Sequence, residues 1–329
     1  MTKILMYSVR DDEQVAIANF AQTHGVQIDS TTAELHGDTV ELATGYDGVI
    51  IQQHAGINDD GVYTKLAQQG IKQVTSRTAG FDTINVPAAK AAGLTVTNVP
   101  AYSPRSVAEM ALMQIFRLLR NTPAFDARVR RNDFRWEGLQ AREIHSVTVG
   151  IIGLGRIGET LAKMLKALDV RVIANDLVER AEMRDVVEYM SKEAVLQQAD
   201  VISLHVYLDE QSTGLLAKDE FDLMKKGALI VNASRGPVIN TADLIEALDA
   251  GIIAGAALDT VEGEEHIFNE DLSASGVTDE RIKKLLTLEN VIITPHVGFF
   301  TNIAVQNMVD ISLTDVLSII TTGTSAHDL

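Results

Sequence analysis

The feature that most restricts how this chain can fold is Val149-Gly150-Ile151-Ile152-Gly153-Leu154-Gly155-Arg156-Ile157-Gly158, a G-x-G-x-x-G set directly between an apolar β-type run and a helical stretch. That position gives each glycine a physical task. Gly153 permits a tight turn, Gly155 lets the backbone approach a pyrophosphate, and Gly158 lets the helix pack closely on the strand, while the helix N-terminus faces phosphate charge. A second apolar run, Val170 to Asn175, leads into Asp176, roughly 20 residues on, where a carboxylate would bond the adenosine ribose hydroxyls. Asp176 favours NAD over NADP because it repels a 2′-phosphate; Arg180, close by, pulls the other way. Two readings compete with a dinucleotide site: a glycine turn needed only for packing, and a methyltransferase-like nucleotide site.

The turn belongs to a longer alternation. Apolar runs at Val147–Ile152, Val170–Asn175, Val201–His205, Ala228–Asn232, Ile253–Leu258 and Val291–Thr294 are spaced by helical stretches, and both faces of these runs are apolar. Such strands predict a parallel sheet covered on both sides through right-handed crossovers, a doubly wound domain. Earlier runs at Ile4–Val9, Val49–Gln52, Ile71–Thr75 and Leu94–Asn98, alternating with helical Asp12–Thr23 and Asp59–Gln69, predict a second α/β layer structure. Gly25, Gly70 and Gly93 follow the last periodic residue of their helices, where a left-handed cap is wanted. Between the two series Ser103-Pro104 opens an amphipathic helix over Arg105–Arg120, with Ser106-x-x-Glu109 as a competing start and Met110 and Met113 expected in the core. Asn302 to Thr321 is the closing helix. A length of 329 residues accommodates two domains.

Charge narrows the partners. Lys and Arg number 28 against 45 Asp and Glu, a formal charge of −17, which repels phosphate backbones and anionic lipid, so neither nucleic acid nor a membrane surface is an expected partner. The basic stretch Arg128, Arg130, Arg131 and Arg135 around Phe134 and Trp136 therefore reads as an exposed or subunit-contact helix. An anionic small molecule would need a locally focused positive charge. The absence of cysteine excludes disulfides, thiolate zinc and iron–sulfur ligation; no metal site is expected, and a cytoplasmic protein is the simplest reading. The first residues lack the apolar stretch and cleavage site of a secretion signal. The longest uncharged apolar run, Ala250 to Leu258, is glycine-interrupted and too short to span a membrane.

Polar residues follow three later strands. Asn232-Ala233-Ser234 leads into Arg235, Asp259 leads into a stretch with Glu262, Glu264 and Glu265, and Thr294-Pro295 leads into His296. Ligands of open α/β sheets bind outside those strand ends, so an arginine, a carboxylate and a histidine can converge there. Reduction of a 2-keto acid needs such a set: a hydride to the carbonyl carbon, a proton to its oxygen, and a cation on the carboxylate. Histidine suits the proton role, a neighbouring carboxylate favours imidazolium, and Arg235 can grip a carboxylate with two parallel hydrogen bonds. Each residue also has a structural reading, Arg235 as an inter-element salt bridge and the glutamates as a solvated loop. Spacing alone does not select among the three glutamates.

With these residues in view, the chain resembles the D-isomer-specific 2-hydroxyacid dehydrogenases over nearly its whole length, nearest to their D-lactate and D-2-hydroxyisocaproate dehydrogenase branch. The matching segments are Asn98-Val99-Pro100-Ala101-Tyr102-Ser103-Pro104, Gly150 to Gly158, Asn232-Ala233-Ser234-Arg235-Gly236, Leu258-Asp259-Thr260-Val261-Glu262-Gly263-Glu264 and Thr294-Pro295-His296. The resemblance implies two doubly wound parallel-sheet α/β domains. One is a discontinuous flavodoxin-like substrate domain, residues 1–100 and 300–329; the other is a Rossmann NAD-binding domain, residues 101–299, and two chain crossings form a hinge. It implies that Glu264, Arg235 and His296 are the catalytic residues, with Arg235 on the substrate and His296 transferring the proton. The backbone at Ala79-Gly80 would meet the substrate carboxylate, and Tyr102 and Phe299 would line the substrate pocket. Gly153, Gly155, Arg156, Ile157, Gly158, Asp176, His205, Val206, Ala233 and Ser234 would hold NAD, with Asp259 on the nicotinamide carboxamide.

Phe299-Phe300-Thr301 is similar to the lactate and hydroxyisocaproate branch and implies an apolar substrate tail. Tyr207, where relatives commonly have proline, and Gln52-Gln53-His54, in a region that helps set side-chain preference, depart from the pattern. The implied activity is NADH-dependent reduction of pyruvate to D-lactate by a cytoplasmic homodimer joined through the Arg105–Arg120 region and its sequel. The rivals are a D-2-hydroxyisocaproate or phenyllactate dehydrogenase acting on bulkier 2-keto acids, and an NAD-sensing binding protein resembling the C-terminal-binding corepressors.

Overall fold

Strands that are apolar on both sides must be covered twice, and each of the two sheets here is. In a computed structural model, residues 1–53 and 55–329 are described; His54 of the Gln52-Gln53-His54 segment lies outside the described residues. The chain divides into two units, Met1–Ser103 with Phe300–Leu329, and Pro104–Phe299.

In the first unit β1 (Lys3–Met6), β2 (Gln27–Ser30), β3 (Gly48–Ile51), β4 (Gln73–Ser76) and β5 (Thr95–Thr97) form a parallel sheet in the order β2-β1-β3-β4-β5. That is the flavodoxin-like order. Helices α1 (Gln14–His24), α2 (Gly61–Gln68) and α3 (Val86–Ala91) connect the strands, and the last helix of the chain, α11 (Asn302–Thr322), joins them. Ile4, Met6 and Ile50 pack on Ile17 and Phe20 of α1 and on Val309, Leu313 and Val316 of α11. The alternate residues Leu5, Tyr7, Val49 and Ile51 pack on Val62 and Leu66 of α2. Residue 48 has to be glycine for α11 to lie so close, because a Cβ there would stand 2.6 Å from Val316 Cγ1. Among the described residues α11 is the one helix long and apolar enough to cross a membrane, but half of that stretch is buried inside the protein and it carries the buried Asp315. Within the same unit Arg77 and Glu13 form a fully buried ion pair, Nε to Oε1 3.0 Å, with Arg77 also donating to the carbonyls of Tyr7 and Ser8.

The second unit begins with α4 (Pro104–Leu119) and α5 (Thr122–Arg130) and continues through β6 (Thr148–Ile152), α6 (Arg156–Lys166), β7 (Arg171–Asn175), β8 (Glu188–Tyr189), α7 (Lys192–Gln198), β9 (Val201–Leu204), α8 (Lys218–Leu223), β10 (Ala228–Asn232), α9 (Thr241–Asp249), β11 (Ile253–Leu258), α10 (Glu280–Thr287) and β12 (Val291–Ile293). All neighbours are parallel, in the order β8-β7-β6-β9-β10-β11-β12. The order reverses between β6 and β9, the switch point of a doubly wound sheet. Val149, Ile151, Val201, Leu229 and Val231 face α4 and α6, and Ile202, Leu204, Ile230 and Leu258 face α7, α8, α9 and α10. Each such side chain removed from water contributes about 1.5–3 kcal/mol.

Two sequence expectations change. Met113 is not in the core: it is 42% exposed, while Met110 is half-buried. At 100° per residue, Val107, Ala108, Ala111, Ile115 and Leu118 form the inward stripe, and position 113 falls on the far side of the helix. The strands β2 and β8, absent from the sequence reading, are short edge strands whose residues are half-buried or exposed, so no apolar run marks them.

Candidate active site

β6 and β9 flank the switch point, and the segments that leave them meet. Gly153 has φ +90°, and a Cβ there would stand 2.5 Å from the His205 carbonyl oxygen. A Cβ on Gly158 would collide with the Gly153 carbonyl, whereas the same position on Gly155 opens onto free space. Helix α6 starts directly after it, with Arg156 exposed and Ile157 half-buried. Asp176 lies against this turn: Oδ2 accepts from Leu154 N at 2.5 Å and Oδ1 from Val178 N at 3.0 Å. Arg180 spends its guanidinium on Glu159, Nη1 to Oε2 2.8 Å, and on the Leu154 carbonyl. The cation that spoke for NADP is thus already matched by a carboxylate.

His205 lies just past β9 with Val206 half-buried and Tyr207 exposed behind it. Its Nε2 is 2.8 Å from Ser203 Oγ, and its Nδ1 is buried without a partner. Burial pushes its pKa down to about 4, so the ring is neutral at pH 7. Open space at Gly155, a helix start, a carboxylate at the turn and an orphaned ring nitrogen together fit a bound dinucleotide.

The ends of β10, β11 and β12 carry the second group. Asn232 shapes the first: Oδ1 accepts from Ser234 N (3.0 Å) and Ser234 Oγ (2.7 Å), and Nδ2 donates to the Arg235 carbonyl at 2.9 Å. Ala233 is half-buried and Ser234 buried. Arg235 is half-buried, with Nη1 donating to the Ser234 carbonyl at 2.8 Å. Gly236 packs so tightly that a Cβ would run into the Val261–Glu262 backbone, which sets the Arg235 turn against the loop that carries Glu264.

Past β11 the buried Asp259 organises the histidine loop. Oδ1 accepts from Thr294 Oγ1 at 2.5 Å and Val297 N at 3.2 Å, Oδ2 from Gly298 N at 2.8 Å, and the main-chain oxygen from His296 N at 2.9 Å. His296 itself has φ +53°, a left-handed conformation that a non-glycine residue adopts only when its surroundings impose it. Its Nδ1 is 2.6 Å from Glu264 Oε1, and Glu264 Oε2 accepts from Val261 N at 2.6 Å. The Phe299 ring stands edge-on to the imidazole, centroids 6.5 Å apart. The glutamates that spacing could not separate have different partners: Glu264 meets His296, Glu262 meets Arg281, and Glu265 is exposed.

In the first unit, the Ala79 carbonyl accepts from Asn98 Nδ2 at 2.6 Å and the Gly80 carbonyl from Thr78 Oγ1 at 2.7 Å. Tyr102 is half-buried, and its carbonyl accepts from Asn307 Nδ2 at 2.6 Å. Sequence reasoning missed Gln114, a buried polar residue in the inward stripe of α4 whose Nε2 donates to Thr294 Oγ1 at 3.3 Å. Among the described residues no group of three or more His, Asp and Glu could hold a metal ion.

Residues 112–298 match the family model described as D-isomer specific 2-hydroxyacid dehydrogenase, NAD binding domain. The chain is 43% identical over 328 residues to a D-2-hydroxyacid dehydrogenase (NAD(+)) of Clostridioides difficile, covering 99% of each chain. A solved D-lactate dehydrogenase from Sporolactobacillus sp is 57% identical, with TM-score 0.87 and coverage of 100% and 99%. The structure of a D-2-hydroxyisocaproate dehydrogenase is 34% identical, with TM-score 0.92 over 100% of this chain and 99% of that one.

Proposed function

The chain belongs to the D-isomer-specific 2-hydroxyacid dehydrogenase family, and from that premise we propose how its residues divide the work. It is an NAD-dependent oxidoreductase acting on D-2-hydroxy acids, a D-lactate dehydrogenase that reduces pyruvate. The observation that carries the assignment of roles is the 2.6 Å contact between His296 Nδ1 and Glu264 Oε1. A carboxylate on Nδ1 fixes the ring's orientation and leaves Nε2 to hand a proton to the substrate oxygen.

Arg235 takes the substrate carboxylate in its planar fork, assisted by the amides at Ala79 and Gly80. Tyr102 and Phe299 line the place of the substrate's side chain. When bound, NADH supplies the hydride that the carbonyl carbon receives. Gly153, Gly155, Arg156, Ile157 and Gly158 would hold its pyrophosphate, Asp176 its ribose, and His205 and Val206 the adenosine side; Ala233 and Ser234 would also contact the cofactor, with Asp259 on the nicotinamide carboxamide. An ionised carboxylate offers about four acceptor positions, and Asp259 uses three on Thr294, Val297 and Gly298, which leaves one for a carboxamide N–H.

The enzyme works as a homodimer, for which the exposed Met113, Phe116, Phe125, Phe134 and Trp136 of one region are the support. It resides in the cytoplasm, since a chain without cysteine needs no oxidising compartment. The dehydrogenases to which the chain is similar argue against a purely NAD-sensing binding role. NADH oxidation measured with pyruvate, 4-methyl-2-oxopentanoate and phenylpyruvate, with chiral analysis of the product, tests the reading. The highest kcat/KM is expected for pyruvate, giving the D product. A preference for the bulkier acids would move the chain to the hydroxyisocaproate branch, and no oxidation with any of them would end the enzymatic reading.

A further inference from the structure

Glu264 reaches His296 from a loop, and a loop holds a working carboxylate only as well as it is itself held. After β11 the chain makes one left-handed turn at Gly263, φ +85°, immediately before Glu264. Within that turn Val261 N donates to Glu264 Oε2 at 2.6 Å and Glu264 N donates to the Val261 carbonyl at 3.1 Å, so the direction of the carboxylate depends on the shape of residues 261–264.

The outer corner of the turn is gripped by Arg281. Its Nη1 is 2.9 Å from Glu262 Oε2 and its Nη2 is 3.0 Å from Asp279 Oδ2. Gly263 lies against the same two side chains: a Cβ there would stand 3.5 Å, an ordinary contact distance, from both Arg281 Nη2 and Asp279 Oδ2. Asp279 is the N-cap of α10, accepting from Arg281 N at 2.8 Å and Ile282 N at 3.2 Å, and the Arg281 guanidinium holds its carboxyl below the usual carboxylate range. Glu262 Oε2 additionally accepts from Thr241 N, the first residue of α9, at 3.4 Å. The corner is therefore tied to the starts of two helices that are packed on the sheet through Leu244, Ile282 and Leu285.

We infer that Arg281, acting through Glu262 and Gly263, is a positioning residue for the Glu264–His296 pair, an inference that rests on the roles proposed for those two residues. The plainer alternative is a half-exposed ion pair that only caps α10. Such pairs are worth little to stability, so the two cases separate in turnover rather than in melting.

The test uses the full chain with Arg281→Gln, Arg281→Lys, Glu262→Gln, Glu264→Gln and the Glu264→Gln/Arg281→Gln double variant, reading kcat and KM for pyruvate, NADH Kd and Tm. Arg281→Gln is expected to lower kcat by about three- to tenfold with NADH Kd unchanged, Glu262→Gln to reproduce that loss, and Arg281→Lys to recover most of it. In the Glu264→Gln background, Arg281→Gln should cost less than about twofold more, because the group it positions has already lost its charge. A full, additive loss in that background, or a lowered Tm with kcat untouched, would reduce Arg281 to a helix cap. Should Arg281→Gln not fold, Glu262→Gln and Arg281→Lys carry the same comparison. Wild-type turnover by Glu264→Gln alone would overturn the role of Glu264, and the inference with it.

Discussion

At His296 the backbone, the ring and the neighbouring carboxylate are all set by other residues: Asp259 holds the loop in its left-handed bend and Glu264 occupies Nδ1. Removing the ring should therefore take away the proposed proton donor and little else. His296→Ala is expected to lose about 10²–10⁴ in kcat for pyruvate reduction while NADH Kd, read by fluorescence, stays at the wild-type value; turnover at the wild-type rate would refute the proton role. Arg235→Lys keeps the charge but not the planar fork, so its loss should fall on KM for pyruvate rather than on NADH binding, and an unchanged kcat/KM would show that another group clamps the carboxylate. His205 contributes one pH dependence of its own. Its folded pKa of about 4 lies below the ordinary histidine value of 6.5. Between those values the unfolded chain binds a proton that the folded chain refuses, so this residue's effect on stability is absent above pH 6.5 and grows unfavourable as pH falls toward 4, by at most about 3 kcal/mol. His205→Gln should lose less Tm than the wild type between pH 7 and pH 5; equal losses would mean the ring is not kept neutral. Arg235 and His296 stand out in the sequence because each lies three residues past a strand end. Glu264 is not legible from spacing, since Glu262 and Glu265 lie beside it; the family resemblance singles it out, and the contacts with His296 and Arg281 tell the glutamates apart. Gln114 could not be read at all, because its partner Thr294 lies 180 residues away.

The glycine turn between β6 and α6 separates two physical reasons for the same residue type. Gly158 is glycine because the Gly153 carbonyl occupies the place of a Cβ, whereas Gly155 is glycine with nothing of the chain near that place. Gly158→Ala must push the helix or the turn aside, so it should cost about 1–3 kcal/mol of stability together with NADH affinity. Gly155→Ala should leave Tm at the wild-type value and weaken NADH binding alone, since its methyl group intrudes on the ligand's approach. Thermal melts paired with NADH titrations check both, and a Gly155→Ala protein with normal NADH affinity would place the pyrophosphate elsewhere. The elements that the sequence makes legible are those whose both faces are buried: β10 and β11 have the bounds expected from their apolar runs. What it hides are two of the four edge strands, β2 and β8. β2 reads Gln-Ile-Asp-Ser and β8 has two residues, and edge strands with one side in water need no apolar run. At the other edge of the first sheet, β5 is covered by the chain's own end: Leu329 N donates to the Val96 carbonyl at 2.9 Å, and His327 is anchored at 2.9 Å from the buried Asp315 carboxylate. Nothing in the tail's composition marks it for that task.

For the molecule as a whole, the proposed homodimer would have to form between chains that each carry a formal charge of −17. Two such chains repel at long range, so self-association needs a patch where apolar area is exposed and the local charge is not acidic. The second unit has one. Met113 and Phe116 project from the outer side of α4, Phe125 and Val129 from α5, and Phe134 and Trp136 from the loop after it, all of them more than a third exposed. Arg128, Arg130 and Arg131 lie in or directly after α5, and Arg135 stands between the two exposed aromatic residues. Aromatic and arginine side chains are the residue types that carry most of the energy in interfaces. On this reading the misplaced Met113 is no misfit of the core but part of a contact surface. Sedimentation of the 35.7 kDa chain should give the mass of two copies, and Met113→Glu/Phe116→Glu should give one, with each variant monomer keeping its helical content. The overall repulsion adds a second, independent signature. Raising ionic strength toward 1 M shortens the screening length to about 3 Å, which removes the long-range repulsion while leaving apolar burial in place, so the dimer should tighten with salt. A dimer that dissociates as salt rises would have to be held by ion pairs instead, and the apolar face would then need a different partner.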